Sequence, residues 1–294
     1  MEILAKFSIT DWHAAIDPLL QQTAITQLET GSILFFPELA FELTSDEQSL
    51  LSPEFSNNKA KNISYDCKNN SLRGIECDSI TQKKITDMMS RFNQYAFGLI
   101  EHLLPSYISQ LQIARTSYRP VEIAGRQSPS YKKDDTRLHV DAFPSNPVQG
   151  RRILRVFSNI NLHGQARVWN AGEPFEKVAE HFLPQIKKPF ICGHLLKALH
   201  VTKSLRTPYD HIMLQMHDRM KADVNYQQQV EKTQIQFPAN STWIVQTDCV
   251  SHAALSGQYV LEQTFYLPVS AMADEGLSPL RVLEKFSGRV LVKN

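Results

Sequence analysis

The hydrophobic positions of the first 111 residues are spaced mainly as in helices. Between residues 79 and 103, apolar side chains recur every three or four positions, which predicts one long helix with a buried face. Ser79 followed by Gln82 predicts the start of this helix through a capping box, and Pro105 predicts its end. The apolar stripe consists of Ile85, Met88, Met89, Phe92, Ala96, Leu99, Ile100 and Leu103.

Shorter elements precede this helix. Apolar residues around Trp12 and Leu19 predict short helices, and the run Ile33–Phe36 before Pro37 predicts a short strand. Ser45 with Gln48 predicts a second capping box and a brief helix. Residues 52–75 are rich in Asn, Lys and Ser, which predicts a long polar loop.

From residue 112 onward the pattern changes to short alternating segments typical of strands. One helical pattern, residues 175–186, interrupts them. Many short strands with one inserted helix predict an α+β protein whose core, residues 112–294, is a double-stranded β-helix of the jelly-roll or cupin-like type. We expect the helical region 1–111 to pack outside this core, within one continuous domain. The predicted strands cover residues 113–123, 136–142, 151–162, 209–217, 233–237, 242–247 and 258–267.

Composition narrows the class of protein. The 31 basic and 30 acidic residues leave a net charge of +1, which disfavours a nucleic-acid-binding protein. The chain lacks both a signal-peptide pattern at its start and a run of about 18 apolar residues, so we expect no transmembrane segment. The scattered cysteines predict reduced thiols and a cytoplasmic location. They are Cys67, Cys77, Cys192 and Cys249.

The candidate chemistry begins with one short motif. His139-Val140-Asp141 is the only His-x-Asp in the chain. On a strand, residues two positions apart point to the same face, so His139 and Asp141 can reach one metal ion. The motif is short enough to occur by chance, and the assignment therefore depends on a third ligand.

His252 is the best candidate for that third ligand, because it follows the apolar run Trp243-Ile244-Val245 at the rim of a late predicted strand. Two histidines and one carboxylate form a facial triad that leaves three positions open, as Fe(II) oxygenases require for a bidentate co-substrate and O2. We therefore predict a non-haem Fe(II) oxygenase that uses 2-oxoglutarate. We expect residues 259–265 to pair with the preceding strand as a hairpin. His211 and His217, on the predicted strand 209–217, are predicted to have structural or supporting roles.

The co-substrate needs a cation for its distal carboxylate, and Arg binds carboxylates in a bidentate manner. The strand after His252 offers Glu262 and Gln263 but no Arg or Lys. We predict Arg155 as the anchor, with Asn159 on the same strand face and Gln263 as further co-substrate-binding residues.

Several segments together resemble the Kdo 3-hydroxylase family, whose substrate is 3-deoxy-D-manno-oct-2-ulosonic acid (Kdo). The resemblance covers nearly the whole chain. It is carried by Lys61-Asn62-Ile63-Ser64-Tyr65-Asp66, Arg137-Leu138-His139-Val140-Asp141-Ala142-Phe143-Pro144, Thr207-Pro208-Tyr209-Asp210-His211, and Trp243-Ile244-Val245 through Val250-Ser251-His252-Ala253.

The resemblance implies a dioxygenase dependent on Fe(II), 2-oxoglutarate and O2, with His139, Asp141 and His252 matching the family's metal ligands. It implies hydroxylation at C3 of Kdo in Kdo-lipid A of lipopolysaccharide, which gives the sugar Ko. The partner would be a Kdo-lipid A glycolipid, reached by contact with the cytoplasmic face of the inner membrane.

An anionic sugar lipid needs cations near the mouth of the site. The candidates closest in sequence to the metal motif are Arg126, Lys132, Lys133, Arg151 and Arg152.

Three other functions remain open from the sequence. The first is a Jumonji-like 2-oxoglutarate oxygenase that acts on a protein or small molecule. The second is a non-catalytic jelly-roll module that binds sugar. The third is a zinc hydrolase with the same three ligands and Glu262 as its general base.

Overall fold

Two β-sheets form the framework of the protein. The computed structural model describes residues 2–57, 60, 62–187 and 197–293, and in these ranges the strands form one eight-stranded and one three-stranded sheet. The strands are β1 (Leu4–Lys6), β2 (Ile33–Phe36), β3 (Ile63–Asp66), β4 (Ser71–Arg73), β5 (Gln112–Arg119), β6 (Arg152–Asn159), β7 (Arg167–Ala171), β8 (Thr233–Phe237), β9 (Thr242–Gln246), β10 (His252–Ser256) and β11 (Val260–Leu267).

The strand order shows how the chain moves between the sheets. The large sheet has the order β1-β2-β9-β6-β11-β5-β3-β4, and the small sheet has the order β10-β7-β8. From β6 onward the chain leaves the large sheet for β7 and β8, returns in β9, leaves again in β10 and returns in β11. All pairings are antiparallel except that of β1 with β2.

An aromatic cluster fills the space between the two sheets. Trp169 of the small sheet lies with its ring centroid 5.2 Å from Phe157 and 5.7 Å from Trp243, both on the large sheet. Phe237 of the small sheet stacks on Trp243 at 4.0 Å. Aromatic pairs of this kind contribute about 0.5–1.5 kcal/mol each beyond the burial of their area. The cluster therefore fixes the two sheets face to face.

Helices surround this framework. They are α1 (Pro18–Glu29), α2 (Ser45–Gln48), α3 (Ser79–Leu103), α4 (Phe175–Phe182), α5 (Pro208–Ala222), α6 (Val224–Gln229) and α7 (Pro279–Ser287), with short 3-10 turns at Pro53–Phe55, Pro105–Gln110, Tyr131–Lys133, Leu183–Gln185, Val269–Ala271 and Glu275–Leu277.

Helix α3 contacts β5 and β11 of the large sheet. Asn93 on α3 donates a buried hydrogen bond of 2.8 Å to the side-chain oxygen of Gln263 on β11. Because side chains alternate along a strand, Glu262 and Thr264 point to the opposite face, where they line a cavity. Helix α3 and the cavity thus lie on opposite faces of one strand.

The predicted long helix is confirmed, but both capping predictions are wrong by one residue. Asp78, not Ser79, caps α3 by accepting from the backbone N–H groups of Ile80 and Thr81. Thr44 with Glu47, not Ser45 with Gln48, forms the capping box of α2. In each case the residue before the predicted cap also has a side chain that can cap a helix, and the helix begins one residue earlier than predicted, so that this residue is the N-cap.

The predicted strand 209–217 is wrong, because these residues lie in α5. Thr207 and Asp210 form a capping box, and Pro208 occupies the first turn, so the local sequence favours a helix start. The buried side chains of α5 recur at helical spacing and are Tyr209, Ile212, Met213, Met216 and Met220.

Other strand predictions also need correction. Within residues 136–142 only an isolated bridge forms, between His139 and His252. The hairpin predicted for residues 259–265 is absent, because β11 pairs with β5 and β6, whereas β9 pairs with β2 and β6 and β10 pairs with β7. Strands β7 and β10 themselves were not predicted.

The N-terminal region is less helical than its sequence pattern predicted. It supplies β1 to β4 to the large sheet, and β3 and β4 form a hairpin within the predicted polar loop 52–75. Strand β2 pairs with β9, and β3 pairs with β5. The N-terminal region therefore shares a sheet with the core, and the single continuous domain stays a prediction.

Two predictions from composition concern cysteines and membrane spans. Cys67, Cys77 and Cys249 are free thiols, and Cys192 lies outside the described residues. No helix among the described residues is both long and apolar enough to cross a membrane.

A buried ion pair fixes the segment that leads to His252. Asp248, between β9 and β10, accepts from Arg152 Nε at 2.7 Å and from Arg152 Nη2 at 3.4 Å. Both side chains are at most 1% exposed. Breaking such a pair leaves an uncompensated charge in the interior.

We therefore predict that Asp248→Ala lowers the free energy of unfolding by about 3–5 kcal/mol, because Arg152 remains buried without a partner. The double variant Arg152→Met/Asp248→Leu should recover much of this loss. Urea unfolding followed by circular dichroism measures both. A double variant no more stable than Asp248→Ala would show that the pair itself does not account for the loss.

Candidate metal centre and adjoining cavity

Backbone hydrogen bonds bring the three predicted ligands together. His139 and His252 exchange both of their main-chain hydrogen bonds, at 3.0 and 2.9 Å, and the N–H of Asp141 donates to Thr247 O at 2.8 Å. One nitrogen or oxygen atom from each of His139, Asp141 and His252 lies within 4.8 Å of the others. The geometry places these donor atoms where one ion can contact all three.

Hydrogen bonds also set the orientation of both imidazole rings. The Nδ1 atom of His139 lies 2.8 Å from Arg137 O, and that of His252 lies 2.8 Å from Val250 O. A carbonyl oxygen only accepts, so each Nδ1 carries the hydrogen and each Nε2 keeps its lone pair. This is the tautomer that a metal ligand needs.

The protonation states suit a metal site. Burial lowers the pKa of His139 and of His252. Burial alone would raise the pKa of Asp141, but Arg155 and the two histidines outweigh it, so this pKa is lowered. Two neutral imidazoles and one carboxylate are the deprotonated forms that bind metal.

Aromatic rings enclose the two histidines. Trp169 stacks on His252 with centroids 5.1 Å apart, and the ring of His217 meets that of His139 edge to face at 5.2 Å. His217 therefore lies beside the triad, although it is on helix α5 and not on the predicted strand. The Nδ1 atom of His217 lies 3.0 Å from Asp218 Oδ1.

A chain of alternating charges leads away from Asp141. Arg155 Nη2 lies 2.9 Å from Asp141 Oδ2 without hydrogen-bond alignment, and Arg155 Nη1 lies 3.1 Å from Glu262 Oε1. Arg119 Nε donates to Glu262 Oε2 at 2.9 Å. The arrangement follows from the sheet, because β11 lies between β5 and β6.

A cavity of about 600 Å³ opens beside this chain of charges, with Arg155 and Glu262 in its wall. Because Arg155 also contacts Asp141, the cavity adjoins the triad. Its other charged lining residues are Asp66, Lys68, Arg115, Arg119, Arg151 and Lys203.

The excess of cations means that the cavity favours anionic ligands. Three of its arginines are paired with lining carboxylates, Arg115 with Asp66 and both Arg119 and Arg155 with Glu262. Arg151 has no acidic partner among the described residues. It donates to Gln112 Oε1 and Val148 O, and its guanidinium lies 5.0 Å from the ring centroid of Tyr266.

Two of the predicted co-substrate residues lie elsewhere. Gln263 faces α3, where it accepts from Asn93 and Thr116. Asn159 is 1% exposed, and its amide donates to Gln165 O and Phe237 O. Both side chains tie structural elements together, so the prediction that they bind the co-substrate is corrected.

Of the five cations predicted to bind the substrate, one lines the cavity and four do not. Arg151 lines the cavity, whereas Arg152 is buried against Asp248. Arg126 pairs with Asp135 at 2.7 Å and Lys132 pairs with Asp218 at 2.6 Å. Neither of these two residues lines the cavity, and exposed Lys133 does not line it either.

The cavity wall also contains Arg115, Arg119, Lys203 and Tyr266, which were not predicted from the sequence. The spacing Arg115-x-Ser117-x-Arg119 on a predicted strand was an available signal, because it places both arginines on one face. No local pattern marks Lys203, which reaches the cavity from a distant segment.

The comparisons with known proteins agree with this geometry. Residues 11–290 match the family model described as 3-deoxy-D-manno-oct-2-ulosonic acid (Kdo) hydroxylase. The chain belongs to the Kdo hydroxylase family. The family predicted from the sequence is thereby confirmed, and no curated protein sequence gives a significant match.

Solved structures of the Kdo hydroxylase KdoO, a non-haem Fe(II) α-ketoglutarate-dependent dioxygenase, are similar over the whole length. Its cobalt(II) complex is 45% identical, with a TM-score of 0.96 over 100% of this chain and 98% of that chain. Its complex with α-ketoglutarate and Fe(III) is 45% identical, with a TM-score of 0.95 over 99% and 98%. Its complex with succinate and Fe(III) is 44% identical, with a TM-score of 0.95 over 100% and 98%.

Proposed function

We propose that this Kdo hydroxylase family member hydroxylates Kdo at a metal held by His139, Asp141 and His252. The observation that carries the proposal is the convergence of these three donors beside a cationic cavity. The chain is an Fe(II)- and α-ketoglutarate (2-oxoglutarate)-dependent dioxygenase, as its sequence predicted. The non-catalytic sugar-binding module is therefore excluded.

The donor set fits Fe(II). Two imidazole nitrogens and one carboxylate occupy one side of a metal and leave the other side open. Bound iron would supply the activation of O2 that couples decarboxylation of the co-substrate to hydroxylation of a C–H bond. The described site does not fit a zinc hydrolase, because Glu262, its expected base, is held by Arg119 and Arg155 and its pKa is lowered.

We propose Arg155 as the anchor for the distal carboxylate of the co-substrate. It lies in the cavity wall and next to Asp141, so it is close to both the metal donors and the open space. Glu262 holds one side of its guanidinium, and the ring of Phe143 lies 5.7 Å from it. These contacts hold the guanidinium of Arg155 in place at the cavity wall.

The acceptor that we propose is Kdo-lipid A, with hydroxylation at C3 of Kdo to give Ko. Arg151 keeps its predicted role and would bind an anionic group of the acceptor, since neutral residues alone orient it. Lys203 and Arg115 join it in the cavity wall. The protein would meet this lipid at the cytoplasmic face of the inner membrane.

The proposed fold is the double-stranded β-helix predicted from the sequence. The support is the alternation of β6 to β11 between two facing sheets, with the metal donors between β5 and β6 and at the start of β10. The helices α1 and α3 would then form its outer cover.

Anaerobic addition of Fe(II) and 2-oxoglutarate tests the metal site. We expect a visible charge-transfer band at roughly 500 nm, as for this chelate at a site with two histidines and one carboxylate. His139→Ala and Asp141→Ala should lose the band and all turnover, because each removes a donor.

The matched control is His211→Ala, which changes a histidine that lies on α5 and contacts Lys187 O. It should keep both the band and the turnover. Circular dichroism checks that each variant is folded. Turnover that survives in folded His139→Ala or Asp141→Ala would refute the assignment.

A second experiment separates the co-substrate and acceptor roles of two arginines in the same cavity. Arg155→Ala should raise the KM for 2-oxoglutarate by about tenfold or more, because a charge-assisted hydrogen bond is lost, with a smaller effect on the acceptor KM. Arg151→Ala should do the reverse. Equal changes of both KM values in Arg155→Ala would mean that Arg155 is not the anchor.

A further inference from the structure

One stretch of the chain differs in charge from the rest. Between Glu180 and Asp210 there is no acidic residue, although the whole chain has a net charge of only +1. Such a local excess of cations attracts anionic surfaces. The basic residues of this stretch are Lys187, Lys188, Lys197, Lys203 and Arg206.

The part of this stretch after residue 196 exposes two large apolar side chains. Leu199 is 63% exposed and Val201 is 53% exposed. Lys197 and Lys203 flank them and are exposed as well. We call residues 197–203 the basic apolar surface. Apolar side chains among lysines are typical of segments that lie in the interface of a membrane.

Hydrogen bonds attach this surface to the mouth of the cavity. The N–H of Lys203 donates to Ser145 O at 2.9 Å, and the hydroxyl of Ser204 donates to Pro147 O at 3.2 Å. Ser145 and Lys203 both line the cavity. The basic apolar surface is therefore continuous with the cavity wall through Lys203.

We propose that the basic apolar surface binds an anionic phospholipid membrane. Leu199 and Val201 insert among the lipid chains, while Lys197 and Lys203 contact the phosphates of the head groups. Charge complementarity selects an anionic membrane, because no acidic residue of this stretch offsets its lysines. The consequence is that the cavity opens at the membrane surface, which deepens the proposed function and rests on its lipid-linked acceptor.

Vesicle flotation tests the binding step without any acceptor. The full-length protein should float with vesicles of phosphatidylcholine and phosphatidylglycerol, and much less with phosphatidylcholine alone or at raised salt. Leu199→Ser/Val201→Ser should bind the anionic vesicles about tenfold more weakly, because it loses two inserted side chains.

The matched control is Leu19→Ser, which changes a side chain that is 76% exposed on α1. It should bind as the unchanged protein does. If the protein does not float with anionic vesicles, or if the double variant floats as well as the control, the proposal is overturned.

Turnover then separates this inference from the proposed function. Leu199→Ser/Val201→Ser should hydroxylate a water-soluble, deacylated Kdo acceptor at the normal rate, and vesicle-embedded Kdo-lipid A about tenfold more slowly at low lipid concentration. Equal rates on the embedded acceptor would overturn the membrane proposal alone. Failure of the unchanged protein on both acceptors would instead overturn the proposed substrate.

Discussion

The backbone pairing of His139 with His252 is the interaction on which the site depends. It joins the segment after β5 to the first residue of β10 through two main-chain hydrogen bonds. Each histidine then uses its Nδ1 hydrogen for a carbonyl two residues earlier, so both Nε2 atoms are held ready for a metal. The ion pair between Arg152 and Asp248 fixes the segment that leads to His252.

Buried charges near this pairing neutralise one another in a series of ion pairs. Asp141, on the segment between β5 and β6, is followed by Arg155, Glu262 and Arg119 on three neighbouring strands, and the four charges alternate in sign. An isolated charge in such a place would be costly, whereas each member of this series has an opposite partner. Within this series Glu262 is held by two arginines, so it is not free to act as the general base of a hydrolase with identical metal donors.

The distribution of cations connects the site to its surroundings. Arg155 lines the cavity beside Asp141, Arg151 also lines it, and Lys203 belongs both to the cavity wall and to the basic apolar surface. A ligand with several anionic groups would thus meet cations from the surface to the triad. This distribution of cations suits a lipid-linked anionic sugar better than a small neutral metabolite.

The sequence by itself determined the elements whose signals are local. The period of the apolar residues predicted α3, and the spacing of His139 and Asp141 predicted two donors for one ion, which the structure places close together. These predictions succeeded because periodicity and two-residue spacing depend only on neighbouring residues.

Only the tertiary structure decided which face of each strand is the inside and which distant segments meet. Gln263 has the residue type of a ligand, but strand alternation turns it toward α3, while Glu262 beside it joins Arg155 and Arg119. Arg152 and Arg151 are adjacent, yet one is buried against Asp248 and the other lines the cavity. The alternation of side chains along a strand means only that neighbouring side chains point in opposite directions. The packing of the second sheet and of the helices determines which of the two directions leads to the site.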